Sequence, residues 1–251
     1  MIKYKGKILN GGGGVRLDKF LSDMGVCSRT ECKRAAKAGK ITVGGAIARD
    51  TSAHIDPEKD EVVFSGERIA YAKFTYIMMN KPDGVLSATE DGAGKTVLDL
   101  LPEKYAKMGL FPCGRLDKNT LGLLILMSDG KLAHDLLSPS KHVEKTYLFE
   151  CETPLSDADC DLLCRGVDIG EKRSTREAEL QLESRTRGTI TVVEGKFHQI
   201  KRMFSAVGNK ITYLERVSFG GIKLDRTLRR GEWRELTAEE ISTLRRENEG
   251  G

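Results

Sequence analysis

The sequence predicts an α+β protein in which a small α/β domain precedes a larger domain with a mixed, largely antiparallel sheet flanked by helices. Two helical patterns and several short strand patterns lie before residue 66, whereas strand patterns outnumber helical ones after residue 75. Of the 251 residues, 31% are charged, and no apolar run approaches the roughly 18 to 20 residues of a membrane span. We therefore expect a globular protein without membrane attachment. We also expect it in the cytoplasm, because residues 1–7 lack the apolar stretch of a secretory signal.

The first domain is expected to span residues 15–66, between two segments without a clear pattern. Residues 1–14 end in four consecutive glycines, which predict a flexible tail, and residues 67–74 are expected to be a linker. Within the domain, Ser28 and Glu31 have the spacing of a capping box and predict the start of a helix. The other expected elements are a preceding helix with apolar positions Val15, Leu17, Phe20, Leu21 and Met24, a hairpin turning at Gly44 and Gly45, and a strand at 60–64.

The second domain is expected to span residues 75–247 and to consist mainly of strands. Its clearest strand is the run from Leu121 to Met127, which is apolar at almost every position and therefore predicts a buried strand. Thr237 and Glu240 predict the capping box of a last helix. The remaining expected elements are a strand at 75–79 that turns at 80–84, a strand at 145–152, a hairpin at 177–194 and a helix at 199–207.

The cysteines and histidines do not indicate a metal site. No two cysteines form a C-x2-C pair, and none lies near two histidines with the spacing of zinc ligands. We therefore expect reduced, mostly buried thiols and no bound metal. The six cysteines are at positions 27, 32, 113, 151, 160 and 164.

Positive charge is concentrated on the second predicted helix. The net charge of +4 is too small to indicate a nucleic-acid binder by itself, but Lys33 and Lys37 are i,i+4 neighbours whose repulsion a phosphate would relieve. The alternative is an ordinary solvated helix face. Residues 15–65 closely resemble the S4 RNA-binding module, which implies contact with the backbone and shape of structured RNA. On that resemblance, the expected RNA-binding residues are Arg16, Lys19, Arg29, Lys33, Arg34, Lys37 and Lys40.

A second motif precedes the buried strand. Residues 114–124 read GRLDKNTLGLL, with Asp117 at the mouth of the strand, where an aspartate is usually only a turn former. The segment nevertheless resembles the G-R-L-D-x-x-T-x-G-L-L-L motif of pseudouridine synthases of the Rsu/Rlu type, in which the aspartate is catalytic. Residues 80–84, 144–147 and 194–204 resemble three further motifs of that family in the same order. The resemblance implies an S4 module followed by a pseudouridine synthase catalytic domain.

The same resemblance implies roles for individual residues. It makes Asp117 the catalytic residue, places Tyr147 beside the target base, and makes Lys201 the basic partner of the aspartate. An ordinary salt bridge with a nearby acid is the alternative role for Arg115. The expected substrate-binding residues are Arg115, which would fill the place of the flipped-out uridine, Ile200, which would pack against the base, and Lys81.

The chemistry of the implied reaction agrees with a single carboxylate and its cation. Isomerisation of uridine to pseudouridine involves no redox change and no net addition of atoms, so no cofactor is expected. The enzyme needs a carboxylate that stays ionised in a pocket mostly closed to water, and a neighbouring cation favours that charged form. Lysine is a point charge without a bidentate fork, so we expect Lys201 to act electrostatically.

The resemblance also points to ribosomal RNA as the partner. Residues 199–209 and 220–222 look most like the small-subunit branch of the family, so we expect a specific uridine of 16S rRNA as the target. The RNA, or a small-subunit assembly intermediate, would be the binding partner, and the enzyme is expected to act as a monomer. The alternatives are a pseudouridine synthase acting on 23S rRNA and a non-catalytic ribosome-assembly factor that only binds RNA.

Overall fold

The computed structural model describes residues 14–69, 71, 74–106 and 108–249. Its contacts divide the chain into two compact units after residue 73, with the segment Glu103–Gly109 grouped with the first unit. The second unit thus begins one residue before the expected position, whereas Glu103–Gly109 was expected within the second domain. The predicted tail at 1–14 lies, apart from Gly14, outside the described residues.

The first unit consists of short helices and short antiparallel strands. Its elements are β1 (Val15–Arg16), α1 (Leu17–Asp23), α2 (Arg29–Lys37), β2 (Ile41–Val43), β3 (Ala46–Ile47), β4 (His54–Ile55), β5 (Val62–Phe64), β6 (Glu67–Ile69) and α3 (Glu103–Ala106). One sheet has the order β3, β2, β5, β6, and β1 pairs with β4. The linker expected at 67–74 is wrong for 67–69, because these residues pair with β5 at the edge of the sheet.

Helix α2 begins with the predicted capping box, and the same turn explains an unexpected disulfide. Ser28 Oγ accepts a hydrogen bond from the backbone N–H of Glu31 (3.3 Å), and the backbone N–H of Ser28 donates to Glu31 Oε2 (2.6 Å). Cys27 precedes the cap and Cys32 follows in the first turn, at the two positions that pack together in a hydrophobic staple. Their Cα atoms are 5.7 Å apart and a disulfide joins them, so the expectation of reduced thiols is wrong for this pair. The free thiols are those of Cys113, Cys151, Cys160 and Cys164.

The second unit is built on one nine-stranded sheet. Its strands are β7 (Tyr76–Lys81), β8 (Phe111–Pro112), β9 (Leu121–Met127), β10 (Lys145–Cys151), β11 (Glu179–Ser184), β12 (Arg187–Val192), β13 (Ile211–Phe219), β14 (Ile222–Lys223) and β15 (Trp233–Glu235). The main order is β11, β12, β10, β13, β9, β7, β15, with β14 beside β13 and β8 beside β9. All pairs are antiparallel except β9 with β13, which confirms the predicted mixed, largely antiparallel sheet.

Helices flank this sheet and form two separate apolar cores with it. They are α4 (Gly130–Leu137), α5 (Asp157–Arg165), α6 (Gln199–Ala206) and α7 (Ala238–Glu249), with short 3-10 helices at Leu98–Leu100 and Pro139–Lys141. One core packs α4 and α7 against β7 and β9, and the other packs α5 and α6 against β10, β12 and β13. Strand β9 and helix α6 are therefore held firmly by buried side chains. Within the described residues, no helix combines the length and the apolar composition needed to cross a bilayer.

Gly122 is expected to tolerate no side chain. It lies where β9 runs parallel to β13, has φ +96°, and a Cβ added there would clash with the backbone oxygen of Arg216 and lie 2.7 Å from Cγ of Glu215. We expect Gly122→Ala to lower the free energy of unfolding by about 2 kcal/mol or more, because strained backbone and overpacking add. Urea denaturation followed by circular dichroism measures the change.

Gly130→Ala is the matched control for this prediction. A Cβ at Gly130 meets nothing within 4 Å, and the residue opens helix α4, so this variant should be neutral or slightly stabilising. An equal loss of stability in the two variants would contradict the assignment of Gly122.

Candidate active site

Asp117 lies in a tight turn that leads into β9. The backbone N–H of Thr120 donates to the carbonyl of Asp117 (3.0 Å), and Thr120 Oγ1 lies 3.4 Å from Asp117 Oδ2. Ser87 holds the preceding residue, since its hydroxyl donates to the carbonyl of Leu116 (2.9 Å) and also lies 3.1 Å from the N–H of Leu116. The turn is thereby fixed on both sides of the carboxylate.

Helix α6 brings Lys201 to this carboxylate. Lys201 Nζ donates to Asp117 Oδ2 at 2.7 Å and to Asn119 Oδ1 at 2.6 Å, across more than 80 residues of sequence. The side chains of Asp117 and Lys201 are 24% and 25% exposed, so the pair is partly covered but remains open to solvent. The predicted contact between the acid and its cation is therefore present.

His198 is a neighbour of Asp117 to which sequence reasoning assigned no role. Its Nε2 lies 3.5 Å from Asp117 Oδ1, whereas Lys201 contacts the other carboxylate oxygen, Oδ2. His198 is the residue that precedes helix α6, with φ +49°, a backbone conformation that residues other than glycine rarely adopt. Asn119 was also missed. Both residues lie inside segments that resemble the family motifs, which is the signal that could have identified them.

Lys81 was expected to bind substrate, and the structure contradicts this. The side chain is fully buried in the last position of β7, and its Nζ donates to the carbonyl oxygens of Pro82, Lys118 and Thr120, each at 3.0 Å. All three N–H donors of the ammonium are therefore used within the protein. Burial lowers the pKa of Lys81 to about 8. Lys81 supports the turn that carries Asp117 from beneath.

Tyr147 lies on β10 in register with Arg216 of β13, and Arg216 is in turn in register with Gly122 of β9. Tyr147 is thus two strands away from the beginning of the strand that follows Asp117. Its ring is partly buried against the core that includes Ile200. Ile200 itself is only 4% exposed because it lies on the apolar face of α6. Little of its side chain is therefore accessible for the expected packing against a base.

Arg115 is exposed, two residues before Asp117. In the described part of the chain it forms neither an ion pair nor a hydrogen bond, so the salt bridge considered as its alternative role is not found there. An exposed guanidinium without a protein partner remains available to RNA.

Two further cations are buried in the sheet beside these residues. Lys145 Nζ donates to the carbonyl of Val143 (2.6 Å), and Arg216 Nε donates to the carbonyl of Leu123 (2.8 Å). Both charges also lie over the ring of Phe219. Burial lowers the pKa of Lys145 to about 8. The sheet near the site therefore carries positive charge in its interior.

Among the described residues, no three His, Cys, Asp or Glu side chains group closely enough to hold a metal ion.

The cations predicted to bind RNA in the first unit fall into two groups. Arg16 forms a two-point contact with Asp18 (3.0 and 2.7 Å), and Lys19 pairs with Asp23 at 2.7 Å, so both charges are partly neutralised. The others are exposed, and none of them forms an ion pair within the described ranges. These unpaired cations, most of them on α2, are Arg29, Lys33, Arg34, Lys37 and Lys40.

Comparison with known protein families identifies the family of this chain. A family model described as RNA pseudouridylate synthase matches residues 75–206, and a model described as S4 domain matches residues 15–62. The chain belongs to the RNA pseudouridylate synthase family. The family predicted from the motifs is thereby confirmed, together with the N-terminal S4 domain.

Relatives of this synthase match nearly its whole length. The uncharacterized RNA pseudouridine synthase YtzG of Bacillus subtilis is 46% identical over 234 residues, which cover 92% of this chain and 98% of that protein. Ribosomal small subunit pseudouridine synthase A of Escherichia coli K12 is 40% identical over 232 residues, which cover 92% of this chain and 100% of that protein. A solved structure described as "Crystal structure of pseudouridylate synthase" superposes with a TM-score of 0.66 at 34% identity, covering 92% of this chain and 99% of that chain. The protein is therefore an enzyme that isomerises uridine to pseudouridine in RNA.

Lys81→Met is expected to destabilise the synthase without weakening its binding to RNA. Removing the ammonium takes one donor from the carbonyl oxygens of Pro82, Lys118 and Thr120, of which the Lys118 carbonyl still accepts from the N–H of Gly84, and this should cost about 2 to 5 kcal/mol. Thermal unfolding and filter binding of RNA, measured on the same preparation, separate the two effects.

Lys118→Met serves as the control for this variant, since Lys118 is exposed in the same turn and its side chain should contribute little to stability. A Lys81→Met protein that unfolds like the wild type but binds RNA more weakly would restore the substrate-binding role.

Proposed function

We propose that this synthase isomerises a specific uridine of 16S rRNA, with Asp117 as the catalytic carboxylate and Lys201 as the cation paired with it. The observation that carries the proposal is the 2.7 Å contact between Lys201 Nζ and Asp117 Oδ2. The target RNA is inferred from the small-subunit relative and from residues 199–209, which resemble the small-subunit branch. A uridine of 23S rRNA is the alternative target.

The reaction requires one bond to break and one to form at the same sugar carbon. The bond from C1′ to N1 of uracil breaks, the base turns, and C5 is joined to C1′ while the proton on C5 is lost and N1 gains a proton. Asp117 supplies the negative oxygen that acts on the nucleotide, whereas the ammonium of Lys201, which donates to that carboxylate, has no free electron pair and is not a nucleophile. No redox step occurs, so the reaction as proposed requires no redox cofactor.

The other predicted residues have supporting roles in this proposal. Tyr147 contacts the detached uracil, and Arg115, exposed and without a protein partner in the described part of the chain, fills the space that the flipped uridine leaves in the RNA. The S4 domain holds structured RNA through the exposed cations of α2. The binding partner is 16S rRNA or a small-subunit assembly intermediate. The cytoplasmic location and the monomeric state expected from the sequence remain predictions.

The target is tested by mapping pseudouridine in rRNA by mass spectrometry. Cells lacking the gene are complemented with the wild type or with Asp117→Asn, which keeps the size of the side chain but removes its charge. We expect one pseudouridine of 16S rRNA to disappear on deletion, to return with the wild type and to remain absent with Asp117→Asn.

Two results would count against parts of this proposal. Loss of a 23S pseudouridine instead would overturn the choice of target. A pseudouridine restored by Asp117→Asn would overturn the role of the carboxylate. Filter binding should find the RNA affinity of Asp117→Asn nearly equal to that of the wild type, which excludes a failure to bind as the cause of inactivity.

Replacing Lys33, Arg34 and Lys37 together by alanine is expected to weaken RNA binding and flatten its dependence on salt. If all three contact phosphates, the slope of log K against log salt falls by about 2 to 3, roughly 0.7 to 0.9 for each contact. Lys59→Ala is the matched control, because Lys59 is 81% exposed in the same unit but already pairs with Asp56. Filter binding from low to high salt measures both proteins. An unchanged slope in the triple variant would remove α2 from the interface.

A further inference from the structure

Phe197 is the most exposed large apolar side chain in the described part of the chain, at 73%. Its ring stacks on the imidazole of His198, with ring centroids 3.8 Å apart and planes inclined by 19°. Single apolar side chains are common on protein surfaces, so exposure alone carries no conclusion. The position of this ring relative to the catalytic carboxylate makes it informative.

One member of the stacked pair, His198, lies next to Asp117. His198 Nε2 lies 3.5 Å from Asp117 Oδ1, and Phe197 covers one face of the His198 ring. The free face of Phe197 is therefore offset from the His198 ring by one stacking step, on a face of the imidazole rather than at the nitrogen that approaches Asp117. A base lying on that free face would belong to a nucleotide close to the one on which Asp117 acts.

The backbone holds Phe197 in this exposed place. Arg202 Nη1 donates to the carbonyl oxygen of Phe197 at 3.0 Å and pairs with Glu171 at 2.8 Å. Lys196, the preceding residue, donates from its Nζ to the carbonyl oxygens of Arg173 (2.9 Å) and Ser174 (3.1 Å). The segment is thus fixed on both sides of the ring, so the aromatic face is presented with little further loss of conformational freedom on binding.

We propose that the stack of Phe197 on His198 is a platform for a nucleobase of the substrate RNA, namely the base of an unpaired nucleotide next to the target uridine. Flipping the uridine out of its stack deprives its neighbour of a stacking partner, and an aromatic side chain can replace that partner. Because every base has a π-face, Phe197 contributes affinity and position rather than sequence selectivity. The inference rests on the synthase activity and does not depend on which rRNA is modified.

Kinetics of Phe197 variants test the platform. The substrate is an equimolar mixture of full-length 16S and 23S transcripts with uridine tritiated at C5, because pseudouridine formation releases that tritium. Single-turnover rates are measured against enzyme concentration for the wild type and for Phe197→Ala, Phe197→Leu and Phe197→Tyr. We expect the alanine and leucine variants to need an about tenfold higher enzyme concentration for half-saturation, and the tyrosine variant to behave as the wild type.

The aliphatic variant makes this test specific for stacking. Leucine keeps apolar area but has no aromatic face, so a wild-type half-saturation in Phe197→Leu would overturn the proposal. So would a loss that falls only on the saturating rate. Leu162→Ala is the matched control, since Leu162 is 51% exposed on helix α5, and it should change neither quantity. Thermal unfolding of each variant checks that the fold is intact.

A fluorescence measurement keeps the platform testable even if neither naked transcript is modified, the result expected where the substrate is a small-subunit assembly intermediate. The chain has one tryptophan, Trp233, so Phe197→Trp in a Trp233→Phe background carries a single reporter. We expect the transcripts to quench this tryptophan by stacking, and to leave Leu162→Trp in the same background unchanged. Equal quenching at both positions, or none at 197, would contradict a base on Phe197.

Discussion

The contact between Asp117 and Lys201 is the interaction on which the rest of the site depends, yet it contributes little to the stability of the fold. An ion pair that is one-quarter exposed is worth only about 0 to 1 kcal/mol. The energy that brings its two members together comes from elsewhere. Strand β9 is buried along nearly its whole length, and α6 is held by Ile200, Met203 and Phe204 in the second core. Packing in the two apolar cores fixes the positions of β9 and α6, and the ion pair forms between residues that this packing has already brought together.

Three positive charges are buried inside the second unit near the site. Lys81, Lys145 and Arg216 are each more than nine-tenths buried, and none of them forms an ion pair within the described residues. A buried cation is unfavourable unless polar groups replace its water, and here backbone carbonyls and the face of Phe219 do so in part, while Nη2 of Arg216 has no hydrogen-bond partner among the described residues. The lowered pKa values of Lys81 and Lys145 show that the compensation is incomplete.

The buried positive charge near the site bears on the binding of RNA. Lys81, Lys145 and Arg216 place positive charge in the sheet near the site, although the buried acid Glu215 lies beside Arg216 on β13. Positive charge of this kind attracts the phosphates of RNA. Of these cations, Lys81 has the clearest connection to the site. Its ammonium donates a hydrogen bond to the turn of Asp117 and interacts electrostatically with both Asp117 and Lys201.

The sequence predicted elements well where one physical signal dominated. Strand β9 was predicted at Leu121–Met127, its bounds in the structure, because a strand buried on both faces is apolar at nearly every position. Strand β13 was missed because Glu215 and Arg216 interrupt its pattern, and both are buried through contacts that only the folded chain supplies. The disulfide between Cys27 and Cys32 was missed because it depends on the geometry of a helix cap rather than on a spacing rule.

Predictions for the site were limited by a similar cause. A motif gives the type of residue and its place in the chain, and this sufficed to pair Asp117 with Lys201. It does not give the direction of a side chain on a strand, where successive residues point to opposite faces. Lys81 ends β7 with its side chain turned towards the carbonyl oxygens of the turn, so it was wrongly expected to contact the substrate. His198 was overlooked although it lies inside a motif segment, because the motif does not show that the residue before α6 brings its ring to Asp117.

The two oxygens of Asp117 are not equivalent, and this difference explains the value of a lysine at position 201. Oδ2 receives the hydrogen bond from Lys201 and lies near Thr120 Oγ1, whereas the contact found for Oδ1 among the described residues is the 3.5 Å approach of His198. A guanidinium at position 201 would favour contact with both oxygens, because its fork matches the carboxylate. The single bond from Lys201 instead fixes the carboxylate through one oxygen. In the proposed mechanism the other oxygen, beside His198, is the one that reacts with the incoming nucleotide.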